Sequence, residues 1–269
     1  MKAHYFVADL HLGARGDVER RTRFSEFLTS IRDKAASLFI VGDLFEFGYE
    51  YRRGISAQNQ AVASELAQLA RTGIRIVLIK GNHDCWLTSR FEHSYGIELR
   101  ESPWETSLEG RRALFVHGDK LDRFLKTRLT NTVFRNRVAT RLFRFLPQTT
   151  GDALALLIAD ISRVRVPNPI LIRQQQEYAQ ARLGAGFDMV VLAHVHQPAL
   201  VPLNSGFLLN PGDWITHFSY GVLDSSGLRL ETFQRRIGGP ENAGTDPVFR
   251  SGKQDSPGFP SQILQGKSP

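Results

Sequence analysis

Five short aliphatic runs in this chain each end in a cluster of aspartate, histidine or asparagine, and that repetition limits the folds open to it. HYFVADLHLG leads to Asp9 and His11, SLFIVGDLFEFG to Asp43, and IRIVLIKGNHD to Asn82 and His83. RRALFVHGD leads to His117, and DMVVLAHVHQP to His194 and His196. Runs of four to six aliphatics read as buried strands. Helical patterns lie between them, over residues 22–36 and 56–71, the second closed by Gly73 as a C-cap. Strands alternating with helices predict an α/β sandwich whose ligands gather at the carboxyl ends of the strands. Toward the end, LVPLN, GFLLNPGDWI, SYGVLD and GLRLETF read as short strands and turns completing a second sheet.

The pattern breaks between about residues 121 and 183, which read as mostly helical. Its first half, DRFLKTRLTNTVFRNRVATRLFRFL, sets Phe124, Leu125, Leu129, Val133 and Phe134 among arginines and lysines, as a basic amphipathic helix does. From Gly238 onward glycine, proline and serine dominate, which predicts a disordered tail. The net charge of +7 favours a polyanionic partner: nucleic acid, a phosphorylated substrate or an anionic membrane surface. Cys85 is the single cysteine, so an internal disulfide and a cysteine-rich zinc site are both excluded. The start, MKAHYFVADLHLG, is too short and polar for a signal peptide, and no apolar run approaches the roughly 18 residues of a membrane span. A soluble or peripheral protein is expected, in a reducing cytoplasm.

Carboxylates and imidazoles are seldom buried unless paired or ligating a metal. Asp9 and His11 alternate along one strand end and so share a face, and His194 and His196 do the same at another. Together with Asp43, Asn82 and His117 they make a seven-residue set of oxygen and nitrogen donors. That set suits Mn²⁺, Fe²⁺, Co²⁺ or Zn²⁺ and is too rich in nitrogen for Ca²⁺. Seven ligands exceed one tetrahedral site, so two ions sharing one carboxylate is the economical reading. Two ions about 3.5–4 Å apart form the clamp used in phosphoester hydrolysis. A lone histidine more often satisfies a buried hydrogen bond, and His4, His93 and His217 are left in that class; His217, after GDWIT, is the nearest of the three to lining a site. Cys85 has no Cys-His-acid arrangement around it and is expected to pack.

DLH at 9–11, GD at 42–43, GNHD at 81–84, HGD at 117–119 and AHVH at 193–196 resemble, in order, the signature of the calcineurin-like metallophosphoesterases. Gly-His-x-His is usual in the last of these, and Ala193 takes the place of its glycine. The resemblance spans about residues 3 to 235. It implies two mixed sheets flanked by helices, in one domain over 1–237 with a helical cap inserted at about 121–183. It also implies that Asp9, His11 and His196 bind one metal, Asn82, His117 and His194 the other, and that Asp43 bridges. His83 would sit over the phosphate as leaving-group acid or transition-state stabiliser, with Asp84 orienting its ring. Mn²⁺ is the expected metal.

GDLFEFGYEYR at 42–52 resembles the second block of the UDP-2,3-diacylglucosamine diphosphatases of lipid A synthesis. GNHDCW and LNPGDWITHFSYGVLD resemble the subgroup that carries His rather than Arg after the Asn. The basic insert after HGD stands where that family has its cap over the acyl chains. The implied reaction is hydroxide attack on the α-phosphorus, releasing UMP and 2,3-diacylglucosamine 1-phosphate. Arg123, Lys126 and Arg128 would bind substrate, and each basic residue near an anionic leaflet contributes about 1 kcal/mol. This places the protein in the cytoplasm, peripheral on the inner face of the membrane. Three alternatives compete: a phosphoesterase for another lipid-linked or nucleotide phosphodiester or pyrophosphate, a nuclease, and a non-catalytic scaffold. Nucleic acid is disfavoured because the basic residues lie in an amphipathic insert with little aromatic interleaving. The scaffold is disfavoured because every ligand and His83 are present.

Overall fold

The computed structural model describes residues 2–14, 16–52, 54–121, 169–203 and 205–235. Arg123, Lys126 and Arg128, most of the expected cap insertion and the expected tail lie outside the described residues.

Strand periodicity builds the centre. In β1 (Ala3–Val7), β2 (Ala35–Val41) and β3 (Arg75–Ile79), successive side chains point to opposite faces. Both faces of all three strands are apolar because both are covered, as parallel strands require. Tyr5, Val7, Leu38, Ile40, Ile76 and Leu78 pack toward the helices α1 (Val18–Ile31), α2 (Ala57–Arg71) and α3 (Ser89–Tyr95). Phe6, Phe39, Val41, Val77 and Ile79 face a second sheet, where Phe115, Val191 and Leu209 meet them.

The first sheet runs in the order β11-β10-β1-β2-β3-β4, with β4 at Glu98–Arg100, β10 at Ser219–Asp224 and β11 at Gly227–Thr232. β1 to β4 are parallel, and β10 and β11 form an antiparallel hairpin against β1. The second sheet runs β5-β6-β7-β9-β8, comprising Trp104–Leu108, Arg111–Val116, Met189–Leu192, Gly206–Asn210 and Ala199–Leu203. Its central strands β6, β7 and β9 are parallel. Its outer face is closed by α4 (Pro169–Gly184), whose Ala179 and Leu183 pack on Leu114, Val190 and Leu192. Both sheets are therefore mixed, and the layers run helix, sheet, sheet, helix.

The first helix departs from expectation, spanning Val18–Ile31 rather than 22–36. Glu19 lies in its first turn, where a carboxylate opposes the helix dipole, and Ala35 is taken by β2, which pairs with β1 from that residue. The second helix follows its signals: the Ser56 side chain caps Asn59 N–H, and Gly73 leaves the helix at φ 91°.

Phe39 sits at the centre of the inter-sheet layer, fully buried, with stacked rings 5.6 Å away at Phe6 and 4.9 Å away at Phe115. Phe39→Ala should cost about 3–5 kcal/mol in denaturant unfolding, the range for a truncated buried aromatic.

Candidate metal centre

Five parallel strands end at one rim of the sandwich, and each is followed by a loop carrying candidate residues. Asp9 and His11 follow β1, Asp43 follows β2, Asn82 and His83 follow β3, His117 follows β6, and His194 and His196 follow β7. The strand-alternation argument for Asp9 with His11 and His194 with His196 is corrected here. β1 stops at Val7 and β7 at Leu192, so these residues lie beyond the strands. A left-handed backbone aims them instead: φ is 49° at Asp9, 48° at His11, 53° at Asp43, 74° at His194 and 57° at His196. Such positions cost on the order of 1–3 kcal/mol each for non-glycine residues and persist only where the surroundings enforce them. The surroundings here are a zipper between two loops: Asp9 N–H donates to the Gly42 carbonyl (3.1 Å), His11 N–H to Asp43 (2.9 Å) and Leu12 N–H to Leu44 (3.0 Å).

The loops bring all seven candidate ligands together. Asp43 Oδ2 lies 3.3 Å from His117 Nε2 and 3.8 Å from His11 Nε2. Asp9 Oδ1 lies 3.6 Å from His196 Nε2, and Asn82 Oδ1 lies 3.1 Å from His117 Nε2. Three groupings have donor atoms close enough to hold an ion: Asp9 with His11 and His196, Asp43 with His117 and His194, and His11 with Asp43 and His83. The last adds an imidazole that the sequence reading kept off the metals. Metal–ligand bonds of about 2.0–2.2 Å put two ligands of one ion roughly 3–4 Å apart, the spacing seen here. Asp9 Oδ1 and His11 Nε2 are buried with no hydrogen-bond partner among the described residues. Such atoms are costly unless something binds them, so the donor set fits divalent cations.

Four of the imidazoles are anchored through Nδ1, which leaves Nε2 turned inward. His11 Nδ1 meets the Glu46 carboxylate at 3.1 Å, and His117 Nδ1 meets the Val41 carbonyl at 3.0 Å. His83 Nδ1 meets the Glu46 carbonyl at 2.6 Å, and His196 Nδ1 faces Asp213 Oδ2 at 3.5 Å. Partners of this kind fix the tautomer and orient the ring. Sequence reasoning singled out neither Glu46 nor Asp213, although both stand inside quoted motifs, DLFEF and NPGDW. The orienting role expected of Asp84 is corrected. Its carboxylate is fully buried and accepts the N–H groups of Leu44 (3.0 Å) and Phe45 (3.3 Å), so it braces the Asp43 loop while Glu46 holds the His83 ring.

Burial and charge pull the site's groups apart. Burial opposes the His117 imidazolium, yet the Asp43 carboxylate against it prevails and pushes the group up to about 10. At His196 burial is likewise outweighed, by Asp9 and Asp213, to about 9. Burial and the nearby His117 charge lower His194 to about 4. His83 is raised, against its burial, by Asp43 and Glu46. Burial and the Asp43 charge push Asp84 up to about 7. A pocket of neutralised carboxylates and displaceable protons binds cations by proton release.

Outside the cluster, His4 bonds Ser37 Oγ at 2.7 Å and Glu109 at 3.2 Å, and His93 bonds the Ser89 carbonyl within its own helix. His217 stands beside the site, its Nδ1 3.2 Å from Asp213 Oδ2. Cys85 packs against the aromatic cluster of Tyr49, Tyr51 and Trp86.

A family model described as calcineurin-like phosphoesterase matches residues 5–198. A protein of Porphyromonas gingivalis named UDP-2,3-diacylglucosamine hydrolase is 27% identical over 256 residues, covering 86% of this chain and 97% of that protein. One of the same name from Pseudomonas aeruginosa is 31% identical over 240 residues, covering 85% and 98%. A third, from Azotobacter vinelandii, is 28% identical over 236 residues, covering 84% and 97%.

Gly42 shows how tightly the loops close. A Cβ there would stand 2.2 Å from His117 Nδ1, and φ is 84°. Gly42→Ala should displace the His117 ring, lower the bound metal measured by elemental analysis and destabilise the fold by about 1–3 kcal/mol.

Proposed function

We infer the reaction of this chain from its family: it belongs to the calcineurin-like phosphoesterases, it is a hydrolase, and it cleaves the pyrophosphate of UDP-2,3-diacylglucosamine to UMP and 2,3-diacylglucosamine 1-phosphate. The observation that carries the substrate is similarity over nearly the full length of relatives bearing that name, 97–98% of each. The intact donor set at the strand ends supports the chemistry.

Asp9, His11 and His196 would hold one divalent ion, Asn82, His117 and His194 a second, with Asp43 shared between them; Mn²⁺ is our choice among Mn²⁺, Fe²⁺, Co²⁺ and Zn²⁺. When bound, the pair supplies Lewis-acid charge neutralisation at the phosphoryl oxygens and a nucleophile at neutral pH. His83 supplies what the ions do not. Its Nδ1 donates to the Glu46 carbonyl, and Asp43 and Glu46 favour the charged ring against its burial; in that charged form Nε2–H is the proton that would point into the site. The departing sugar phosphate is a stable anion whose last proton leaves near 6, about the value of a phosphate monoester. It needs little protonation. His83 therefore acts mainly on the developing charge of the phosphoryl oxygens. Asp84 keeps the Asp43 loop in place through the Leu44 and Phe45 amides.

We assign the catalytic domain to residues 1–237 and the rest to a tail; the cap, expected over about 121–183, is cut back to about 121–168, because Pro169–Gly184 forms the helix packed on the second sheet. Arg123, Lys126 and Arg128 in that cap would meet the substrate phosphates and an anionic leaflet, placing the enzyme at the inner face of the cytoplasmic membrane. Among the described residues, no helix is long and apolar enough to cross a membrane.

His83→Ala should lower kcat about 10²- to 10³-fold, the range for loss of one donor to a developing oxyanion, with metal content and thermal midpoint unchanged. The assay is Mn²⁺-dependent UMP release in detergent. CDP-diacylglycerol, bis-p-nitrophenyl phosphate and single-stranded DNA run in parallel. Turnover confined to those three would retire the sugar-lipid substrate and leave the hydrolase.

A further inference from the structure

The segment NPGDWITH, residues 210–217, carries Asp213 from the end of β9 into the metal centre, where it faces His196. Asp213 is 3% exposed. Its Oδ1 accepts three consecutive backbone N–H groups, from Ile215 (3.0 Å), Thr216 (2.7 Å) and His217 (3.1 Å). That leaves Oδ2, which faces His196 Nδ1 at 3.5 Å and His217 Nδ1 at 3.2 Å.

The turn that carries Asp213 is fixed on several sides. Gly212 has φ 78°, and a Cβ there would strike Ser219 Oγ at 2.2 Å. Its N–H bonds Asn210 Oδ1 at 2.9 Å. Trp214 N–H donates to the Asp9 carbonyl at 3.2 Å, while its fully buried ring meets Phe24 at 5.3 Å and Phe27 at 5.0 Å. The carboxylate is thus held by the core.

His196 is held by much less. Its side chain is 35% exposed, against 9% for His11 and 0% for His117, and it sits on a left-handed loop residue. Its ring stacks on His11 at 5.2 Å and its Nε2 lies 3.6 Å from Asp9 Oδ1, and at Nδ1 it faces Asp213. We propose that Asp213 is the positioning residue that fixes His196 for metal binding, and that it thereby sets the affinity of one ion without setting that of the other. This rests on the two-ion reading above. Among the described residues the side-chain hydrogen bonds and ion pairs of Asp213 run to 215–217 and His196, while His117 in the other grouping is anchored on the Val41 carbonyl. His217 shares the same carboxylate oxygen and is dispensable to this role.

The test uses the full chain loaded with Mn²⁺, with metal counted by elemental analysis after gel filtration and affinity read by chelator competition. Asp213→Asn keeps an oxygen to cap the turn but presents an amide N–H₂ to His196 in place of an acceptor. It should unfold near the wild-type temperature, keep one ion, and bind the second about 10- to 100-fold more weakly. Hydrolysis should return when Mn²⁺ is raised by that factor, which a merely structural lesion would not allow. His217→Ala should keep both ions. If Asp213→Asn fails to fold, Asp213→Ser carries the same test, since its hydroxyl can cap the turn but cannot reach His196. Two ions at wild-type affinity in either variant, loss of both ions together, or activity that excess Mn²⁺ does not restore would each overturn the proposal. A wild-type chain that binds no Mn²⁺ would instead overturn the two-ion reading on which it rests.

Discussion

Asp43 is the point on which the rim of the sandwich closes. Its Oδ1 accepts the backbone N–H of His83 at 3.0 Å, its Oδ2 faces His117 and His11, and its carbonyl accepts the N–H of His11. One residue therefore ties the loops after β1, β2, β3 and β6. A carboxylate buried so deeply is unfavourable without compensation. The facing imidazoles hold it well below the usual carboxylate range despite that burial. Replacing their protons with divalent ions keeps the same compensation and adds reactivity.

The loops adopt this arrangement at a cost in backbone energy. Five of the seven candidate ligands occupy left-handed φ, a region that side chains enter only under compulsion. Glycine relieves the crowding where two loops nearly touch: a Cβ at Gly81 would stand 2.2 Å from Asp43 Oδ1. The packed layer of Phe6, Phe39 and Phe115 joins the two sheets whose strands end at this rim, and the backbone bonds between the first two loops hold the strained residues. Strain concentrated at a site on a stiff scaffold is the usual signature of a preorganised active centre.

Much of this was legible in the chain. Runs such as SLFIV and MVVL announce buried strands, and the polar residues after them mark the carboxyl ends, where parallel topology gathers loops. The rest turned on three-dimensional detail that periodicity does not carry. Asp9 and His11 face the same way because of their left-handed backbone, not because a strand continues. Glu46 and Asp213 act through atoms that sequence spacing cannot place, one of them a main-chain carbonyl. Asp84 looked like a partner for its neighbour His83, but its hydrogen bonds run to the preceding strand's loop, 40 residues away in the chain. The end of the first helix differs because Ala35 and Ala36 suit a helix locally, while β2 begins at Ala35, which pairs with Ala3 of β1.

The central claim is that two divalent ions lie at this rim and share Asp43. Anomalous diffraction from crystals grown with Mn²⁺ addresses it directly. The account predicts two peaks about 3.5–4 Å apart, one beside Asp9, His11 and His196, the other beside Asn82, His117 and His194, with Asp43 between them. A single peak, or two peaks with Asp43 bound to only one, would contradict it.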